Sequence, residues 1–188
     1  MKADWIVTAA VFALSTTAST KHETTAQPAV TPATFVNSAE IKAAIDKHNT
    51  GAFSDSPLRV VPIESKYNVG IAVVRRSKVN GRMLPDALIH DDVTEVYQIV
   101  EGEAVMVTGG ALQSAKPLTA VPVVNEIGPS SAGQSIVGGT SHRVAPGDMI
   151  IIPPHTPHGF VDIATPRIVY TIIRIDPQKV LELRSRPQ

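Results

Sequence analysis

The sequence predicts an all-β protein built from short strands. The chain has 188 residues, enough for one domain with short extensions. Only 4% of its residues are aromatic, whereas 15 prolines and 12 glycines separate runs that are rich in Val and Ile. Short apolar runs between turn residues are typical of strands and not of a helical bundle.

Strand patterns follow one another along most of the chain. Apolar or alternating runs predict strands at 58–63, 68–76, 88–90, 95–100, 103–108, 141–144, 149–152, 158–161 and 167–175. Asn80-Gly81 is a typical hairpin turn. Residues 109–135 have no sustained period, so we expect a long loop near a pocket opening. The last strand is apolar on both faces apart from Arg174, which fits a double-layered barrel or a dimer sheet.

Two short helices are predicted at the ends of the domain. Asn37 and Glu40 have the spacing of a capping box, and the apolar residues that follow share one helical face up to a stop at Gly51. Asp176-Pro177 has the composition of a helix start. A terminal helix is therefore predicted over 177–185.

The N-terminus has the pattern of an export signal. Lys2 precedes an apolar run at 5–14, and small residues follow. The run is shorter than the roughly 20 residues needed to span a bilayer. We expect a cleaved signal peptide over 1–20, a flexible linker over 21–36 and a folded domain over 37–188, in a periplasmic or secreted protein. A disordered tail and a membrane-tethered end are the alternatives.

The charge balance and the missing residue types exclude several classes of function. The chain has 17 basic and 17 acidic residues, whereas a nucleic-acid-binding surface needs a basic excess. It has no cysteine, so disulfides and thiol nucleophiles are excluded. The motifs of serine hydrolases, phosphate loops and zinc proteases are also absent from the sequence.

The stretch 90–102 places ionisable residues at strand spacing within an apolar pattern. If His90 closes one strand and Glu95 opens the next, residues 91–94 form a hairpin loop. Opposed side chains in such a pair have Cβ atoms roughly 5 Å apart, close enough to share one ion. Strand alternation places Tyr97 on the same face as Glu95.

A second stretch, 147–162, has a similar design. A turn leads into a short apolar strand, and the proline-rich loop 153–157 turns the chain again. His158 follows directly at the start of a strand, where its movement is restricted, as suits a ligand. His155 lies in the loop itself, where we expect a solvated side chain.

These two stretches resemble the sequence motifs of the cupin superfamily, G-x5-H-x-H-x3 or x4-E-x6-G and G-x5-P-x-G-x2-H-x3-N. The matching residues are His90, Glu95 and Gly102 in the first motif and Gly147, Pro153 and His158 in the second. The departures are Leu88 for the first histidine, Arg82 for the leading glycine, His155 for the second motif's glycine and Asp162 for its asparagine. The resemblance implies a cupin double-stranded β-helix, or jelly-roll barrel, with a short N-terminal helix and a C-terminal helix.

Relative to the family, the ligand set is reduced from four side chains to three. The resemblance implies one divalent metal ion, Fe2+, Mn2+ or Zn2+, held by His90, Glu95 and His158 with open positions left for other ligands. We expect Glu95 to act as a base and Tyr97 to donate to a bound oxygen. The alternatives are a barrel that has lost its ion, with its histidines bonded to Glu95, and a Tyr97 that only packs in the core.

Taken together, these features predict a metal-dependent cupin that acts on a small organic molecule, as an oxygenase, isomerase or lyase. The alternative is a non-catalytic exported cupin that binds a sugar or another small metabolite. Metal storage is a further possibility. We expect a homodimer, with no nucleic-acid partner and no membrane span.

Overall fold

The computed structural model describes residues 32–47, 51–78 and 87–185. The chain separates into two units, residues 1–33 and 34–188, and every element below belongs to the second. The predicted signal peptide, most of the predicted linker and the predicted Asn80-Gly81 turn lie outside the described residues. Among the helices in the described ranges, none is long and apolar enough to cross a membrane.

The described residues form two helices and thirteen strands. The helices are α1 (Ser38–Lys47) and α2 (Val121–Ile127). The strands are β1 (Phe53–Ile63), β2 (Tyr67–Ser77), β3 (Ala87–His90), β4 (Thr94–Glu101), β5 (Ala104–Thr108), β6 (Ala111–Gln113), β7 (Lys116–Pro117), β8 (Ser130–Gly133), β9 (Ser135–Val137), β10 (Thr140–Val144), β11 (Met149–Ile152), β12 (His158–Ile163) and β13 (Arg167–Asp176).

Most strands belong to two antiparallel sheets. One sheet has the order β1-β2-β13-β4-β11, the other has the order β10-β5-β12-β3-β8-β7, and β6 pairs with β9. The main core cluster draws Tyr170 and Ile172 from the first sheet and Met106, Phe160 and Ile163 from the second. Because the inner faces of both sheets share one core, they form a double-layered barrel of two packed sheets. The predicted all-β fold is confirmed.

Strand β13 lies in the middle of the five-stranded sheet and pairs with β2 and β4. Its alternate residues point to opposite faces. Tyr170, Ile172 and Arg174 are buried on the inner face, whereas Ile173 and Ile175 are exposed on the outer face. This register carries one arginine into the barrel interior.

Helix α1 covers part of the outer face of the same sheet. Its first turn is capped by Asn37, whose side-chain oxygen accepts the backbone N–H of Glu40 at 3.0 Å. Ala44 packs against Val73 and Val169, which point outward from β2 and β13. The helix therefore protects one end of an apolar sheet surface from water.

The predicted C-terminal helix over 177–185 is wrong. Asp176 does act as a cap, because its carboxylate accepts the backbone N–H groups of Val180 and Leu181 at 3.0 and 2.9 Å. Lys179 has a φ of 58°, outside the helical region, so the chain makes a turn and not a helix. Leu181 then packs against Val60 in a separate small core, and this long-range contact outweighs the local helix preference.

Two predicted loops are also corrected. Residues 109–135 contain β6, β7, α2 and part of the β8–β9 region, and prolines fit there because Pro122 lies in the first turn of α2. Residues 91–94 do not form a hairpin, because β3 and β4 belong to different sheets. They cross from one sheet to the other at the end of the barrel.

Candidate metal centre

Three predicted site residues converge at that end of the barrel. His90 ends β3, Glu95 is near the start of β4, and His158 begins β12. Nε2 of His90 and Nε2 of His158 lie 3.2 and 3.4 Å from Oε2 of Glu95. All three side chains are at most 3% exposed. The convergence comes from two facing sheets and not from the opposed pair that a hairpin would provide.

Hydrogen bonds on the far side of each ring set which nitrogen faces the carboxylate. Nδ1 of His158 lies 3.0 Å from the carbonyl oxygen of Thr156, so this nitrogen donates. Nδ1 of His90 lies 2.7 Å from Oγ of Ser130, whose own hydroxyl donates to the carbonyl of Gly128. Ser130 must therefore accept from His90. A ring that is neutral directs the lone pair of its Nε2 toward the carboxylate, and a ring that carries a second proton donates Nε2–H to it.

This donor set fits a bound cation. Nε2 of His90 is buried and has no hydrogen-bond partner in the described part of the chain, and it faces an anionic oxygen of Glu95. The ligand atoms of these two residues and of His158 lie within 4.8 Å of one another. A divalent metal ion bound by two imidazoles and one carboxylate would satisfy all three. A second proton on a ring would also supply a positive charge, which is the metal-free alternative.

The carboxylate of Glu95 is held by two further groups. Tyr97 donates its hydroxyl to Oε2 at 2.9 Å, and Arg174 donates Nε–H to Oε1 at 2.9 Å. Burial opposes ionisation of Glu95, but the neighbouring His90, His158 and Arg174 outweigh burial and hold its pKa well below its usual range. Glu95 is therefore an anion whose Oε2 faces the imidazoles.

Arg174 joins three elements around the site. Besides Glu95, its guanidinium donates to Oδ2 of Asp55 at 2.5 Å and to the backbone oxygen of Glu126 at 3.2 Å. Burial alone would lower the pKa of Arg174, but Asp55 and Glu95 raise it above its usual value. Sequence reasoning missed this role, although a lone charge in an apolar strand was the available sign. Asp55 carried no such sign.

The buried charges do not cancel when both histidines are neutral. Glu95 and Asp55 contribute two negative charges, and Arg174 contributes one positive charge. One negative charge is left over in a region of low dielectric, where an uncompensated charge is costly. A bound divalent cation would more than offset this negative charge.

A cavity of about 310 Å³ is lined by two of the three converging residues, His90 and Glu95. Its polar lining residues are Asp55, Arg76, His90, Glu95, Tyr97, Glu126, Tyr170 and Arg174, and its apolar ones are Phe53, Val74, Leu88, Leu118, Val123, Ile127 and Ile172. Burial and the nearby Asp55 raise the pKa of Glu126. Part of the 109–135 segment thus lines the cavity through α2, as expected for a segment near the opening.

The other predicted candidates lie elsewhere or beside the ligands. Tyr97 lines the cavity, as alternation predicted. Leu88 also lines it and pairs directly with His158 across β3 and β12. His155 is exposed, and its backbone N–H donates to the carbonyl of His90 at 2.7 Å. His142 is exposed on β10, 3.0 Å from the hydroxyl of Thr108.

Comparison with known proteins gives one family match and several distant structures. The model of the AraC-like ligand binding domain matches residues 132–188. No curated relative matches the sequence. A transcriptional regulator of the HTH_3 family from Vibrio cholerae is similar at 13% identity, with a TM-score of 0.40 over 68% of this chain. Oxalate decarboxylase has 12% identity and a TM-score of 0.43 over 70% of this chain. Recombinant oxalate oxidase in complex with glycolate has 16% identity and a TM-score of 0.40 over 72%.

The chain spans 52%, 28% and 56% of the lengths of these three structures, respectively. Its own strand order and shared core define a double-layered barrel of two packed sheets. His90 and Glu95 of the first motif and His158 of the second meet at one end of that barrel. The predicted resemblance is therefore confirmed, and the chain carries a cupin-type barrel.

Proposed function

We propose that this protein is a metal-dependent cupin that acts on a small organic molecule through a 2-His-1-Glu site. One observation carries the proposal: two imidazole nitrogens and one carboxylate oxygen converge in a buried position beside a cavity. Nitrogen and oxygen ligands of this kind suit Fe2+, Mn2+ or Zn2+. The reaction class is an oxygenase, isomerase or lyase reaction.

When bound, such an ion supplies Lewis acidity and open positions for ligands. The protein's own groups define where a substrate atom would sit. His90 and His158 act as neutral ligands, with their orientation fixed by Ser130 and Thr156. Apolar cavity residues such as Leu88 limit the access of water.

Tyr97 and Glu95 are the proposed proton-handling residues. The hydroxyl of Tyr97 lies 2.9 Å from Oε2 of Glu95, so a proton can move along this hydrogen bond. Oε1 is engaged by Arg174, which leaves Oε2 as the oxygen that faces both the imidazoles and Tyr97. Glu95 is therefore proposed as ligand and base, and Tyr97 as hydrogen-bond donor to a bound oxygen.

Elemental analysis of the untagged protein tests the metal site. We expect a near-stoichiometric divalent metal in the wild type and its loss in a His90→Ala, His158→Ala double variant, because one carboxylate cannot hold the ion alone. His142→Ala is the matched control, since it removes an exposed imidazole from another strand. Equal trace metal in all three proteins would refute the metal-dependent function.

A non-catalytic binding module is the second candidate function. The match of residues 132–188 to a ligand binding domain supports it, as does Leu88 in place of a fourth ligand. The enzyme and the binding module differ in whether the bound molecule is converted to a product. Metal-dependent consumption of oxygen or of a metabolite from a panel supports the enzyme, whereas ligand binding without conversion by the metal-loaded protein supports the module.

We also propose that the protein is a homodimer that buries the outer face of the five-stranded sheet. Ile151, Val96, Ile173 and Ile71 pair in register across β11, β4, β13 and β2 and form one apolar row. Ile151 is 70% exposed and Ile173 is 41% exposed. In a two-fold dimer the same patch meets itself, so a patch without charge is complementary to its own copy.

A further inference from the structure

The cavity that His90 and Glu95 line has an exposed end and a buried end. At the exposed end Phe53 is 48% exposed and Val123 is 36% exposed. At the other end His90 and Glu95 are 3% and 1% exposed. A molecule that enters at the exposed end can therefore place only its leading end at the proposed metal ligands. The rest of the molecule contacts the walls.

The remaining walls of the cavity are largely aliphatic. Val74 and Ile172 are buried and point inward from the neighbouring strands β2 and β13. Leu118, from the loop before α2, and Ile127, from α2 itself, also line the cavity. Side chains from three separate parts of the chain thus supply surface that favours contact with hydrocarbon and offers no hydrogen bonds.

Several polar groups of the lining are bonded to one another within the wall. Arg174 donates to Oε1 of Glu95 and to Oδ2 of Asp55. The hydroxyl of Tyr170 accepts Nε–H of Arg76. A sugar carries a hydroxyl on most of its carbon atoms, and hydroxyls buried against aliphatic walls without partners are costly. The sugar in the second candidate function is therefore disfavoured as the occupant.

We propose that this cavity takes a small molecule with a hydrocarbon body and one polar head, and that the head faces His90 and Glu95. The position of the head rests on the proposed function, because it depends on the metal ligands. The binding of the hydrocarbon body rests on the walls alone and applies to the metal-free protein as well.

An NMR titration that detects methyl groups tests the hydrocarbon body on the metal-free full chain. The probes are 1-butanol, 1-hexanol and 1-octanol, and glucose is the polar comparison. We expect the affinity to rise about three- to fourfold for each added methylene, because each one leaves water on binding. The methyl signals of Val74 and Ile172 should shift at lower alcohol concentration than those of Ile151, which lies on the outer face of the sheet.

Two matched variants on α2 locate the contact. Val123→Asn places an amide in the cavity wall and should weaken the binding of 1-octanol about three- to tenfold. Val121→Asn is the control and should bind as the wild type does, because Val121 is 67% exposed on the same helix and lies outside the cavity lining. Leu118→Asn repeats the test from outside the helix, in case Val123→Asn disturbs α2. The methyl spectrum of each variant shows whether it is folded.

Paramagnetic relaxation tests the position of the head. In the Mn2+-loaded protein, the protons next to the alcohol oxygen should relax faster than those of the terminal methyl group, because the effect of the ion falls steeply with distance. Faster relaxation of the terminal methyl group would overturn the proposed orientation.

The outcomes separate this inference from the proposed function. The hydrocarbon-binding cavity is refuted if affinity does not rise with chain length, or if glucose binds as tightly as 1-hexanol. It is also refuted if folded Val123→Asn and Leu118→Asn both bind 1-octanol as the control does. If the alcohols bind in the cavity but the protein binds no Mn2+, the hydrocarbon-binding cavity stands and the metal-dependent function fails.

Discussion

Leu88 stands where the cupin motif has its first histidine, so the proposed metal centre has three protein ligands and not four. It pairs with His158 across β3 and β12, and it lines the cavity. Residues paired in this way have Cβ atoms about 5 Å apart, so an imidazole at position 88 would reach the same ion. The reduced ligand set therefore depends on a single side chain.

We predict that Leu88→His binds divalent metal roughly tenfold or more tightly than the wild type, because it adds one neutral ligand to a preformed set. Competition with a chromophoric chelator measures the affinity. Leu88→Met is the control, because it keeps an apolar side chain of similar size. Equal affinities of Leu88→His and the wild type would show that the ion does not lie between His158 and this position.

His155 occupies a backbone conformation that suits glycine. Its φ is 61°, and it stands where the cupin motif has glycine. At this φ, steric strain destabilises the folded state by about 1–2 kcal/mol for a residue with a side chain. Glycine avoids that strain, but its larger loss of conformational entropy on folding destabilises the folded state by about 0.5–1 kcal/mol. The departure from the motif at this position thus stores strain in the loop before His158.

We predict that His155→Gly raises the free energy of unfolding by about 0.5–1 kcal/mol, as the difference between these two terms. Urea titration measures the change. The same substitution at exposed His142, on strand β10, should instead lower the stability by about 1 kcal/mol, because glycine weakens a strand. A loss of stability in both variants would contradict the assignment of strain to His155.

At the scale of elements, Arg174 connects three parts of the fold around the site. It links β13 to Glu95 on β4, to Asp55 on β1 and to the end of α2 through the oxygen of Glu126. Its side chain is 4% exposed. Removing one member of a buried charge network lowers the free energy of unfolding by more than the ion pairs themselves contribute, because the remaining charges stay buried without a partner.

We predict that Arg174→Met lowers the free energy of unfolding by about 3–5 kcal/mol, since Glu95 and Asp55 would remain buried as uncompensated anions. Arg167→Met is the control, because the ion pair of Arg167 with Glu101 is far more exposed and contributes about 0–1 kcal/mol. Chemical denaturation of both variants measures the two costs. Similar losses of unfolding free energy in the two variants would show that Arg174 stabilises the fold no more than an exposed ion pair does.

Strand existence was predictable from the sequence, but strand partners were not. Alternation at 95–100 and the continuous apolar run at 167–175 are local patterns, and each predicts a strand without information from the rest of the chain. The assignment of β3 and β4 to different sheets depends on contacts with β12 and β13, which are remote in sequence. For the same reason the packing of Leu181 on Val60 overrode the helix pattern near the C-terminus.

At the scale of the whole molecule, the site was only partly predictable. His90, Glu95 and His158 were predicted because motif offsets mark positions on strands. Arg174 reaches Glu95 because β13 and β4 are neighbours in register, and Asp55 joins from a strand forty residues earlier than Glu95. Arg174 and Asp55 could not be recognised as part of the site from the sequence, because only the folded barrel brings these distant residues together.

The packing of the two sheets also determines which apolar surface stays outside. Helix α1 covers the outer face near Val73 and Val169, whereas Ile151 and Ile173 in the neighbouring row are exposed and have no covering element among the described residues. A contiguous exposed apolar surface of this kind marks an interaction site in a soluble protein. A second copy of the chain is the proposed partner.

We predict that the wild type sediments at twice the mass of the 20.0 kDa chain, less any residues removed by processing, and that Ile151→Lys with Ile173→Lys shifts it to the single mass. Two lysines in each copy would place four like charges in the apolar contact. Val161→Lys is the control, because Val161 is exposed on β12 in the other sheet. Dissociation by Val161→Lys alone would assign the contact to the six-stranded sheet, and a monomeric wild type at high concentration would exclude the dimer.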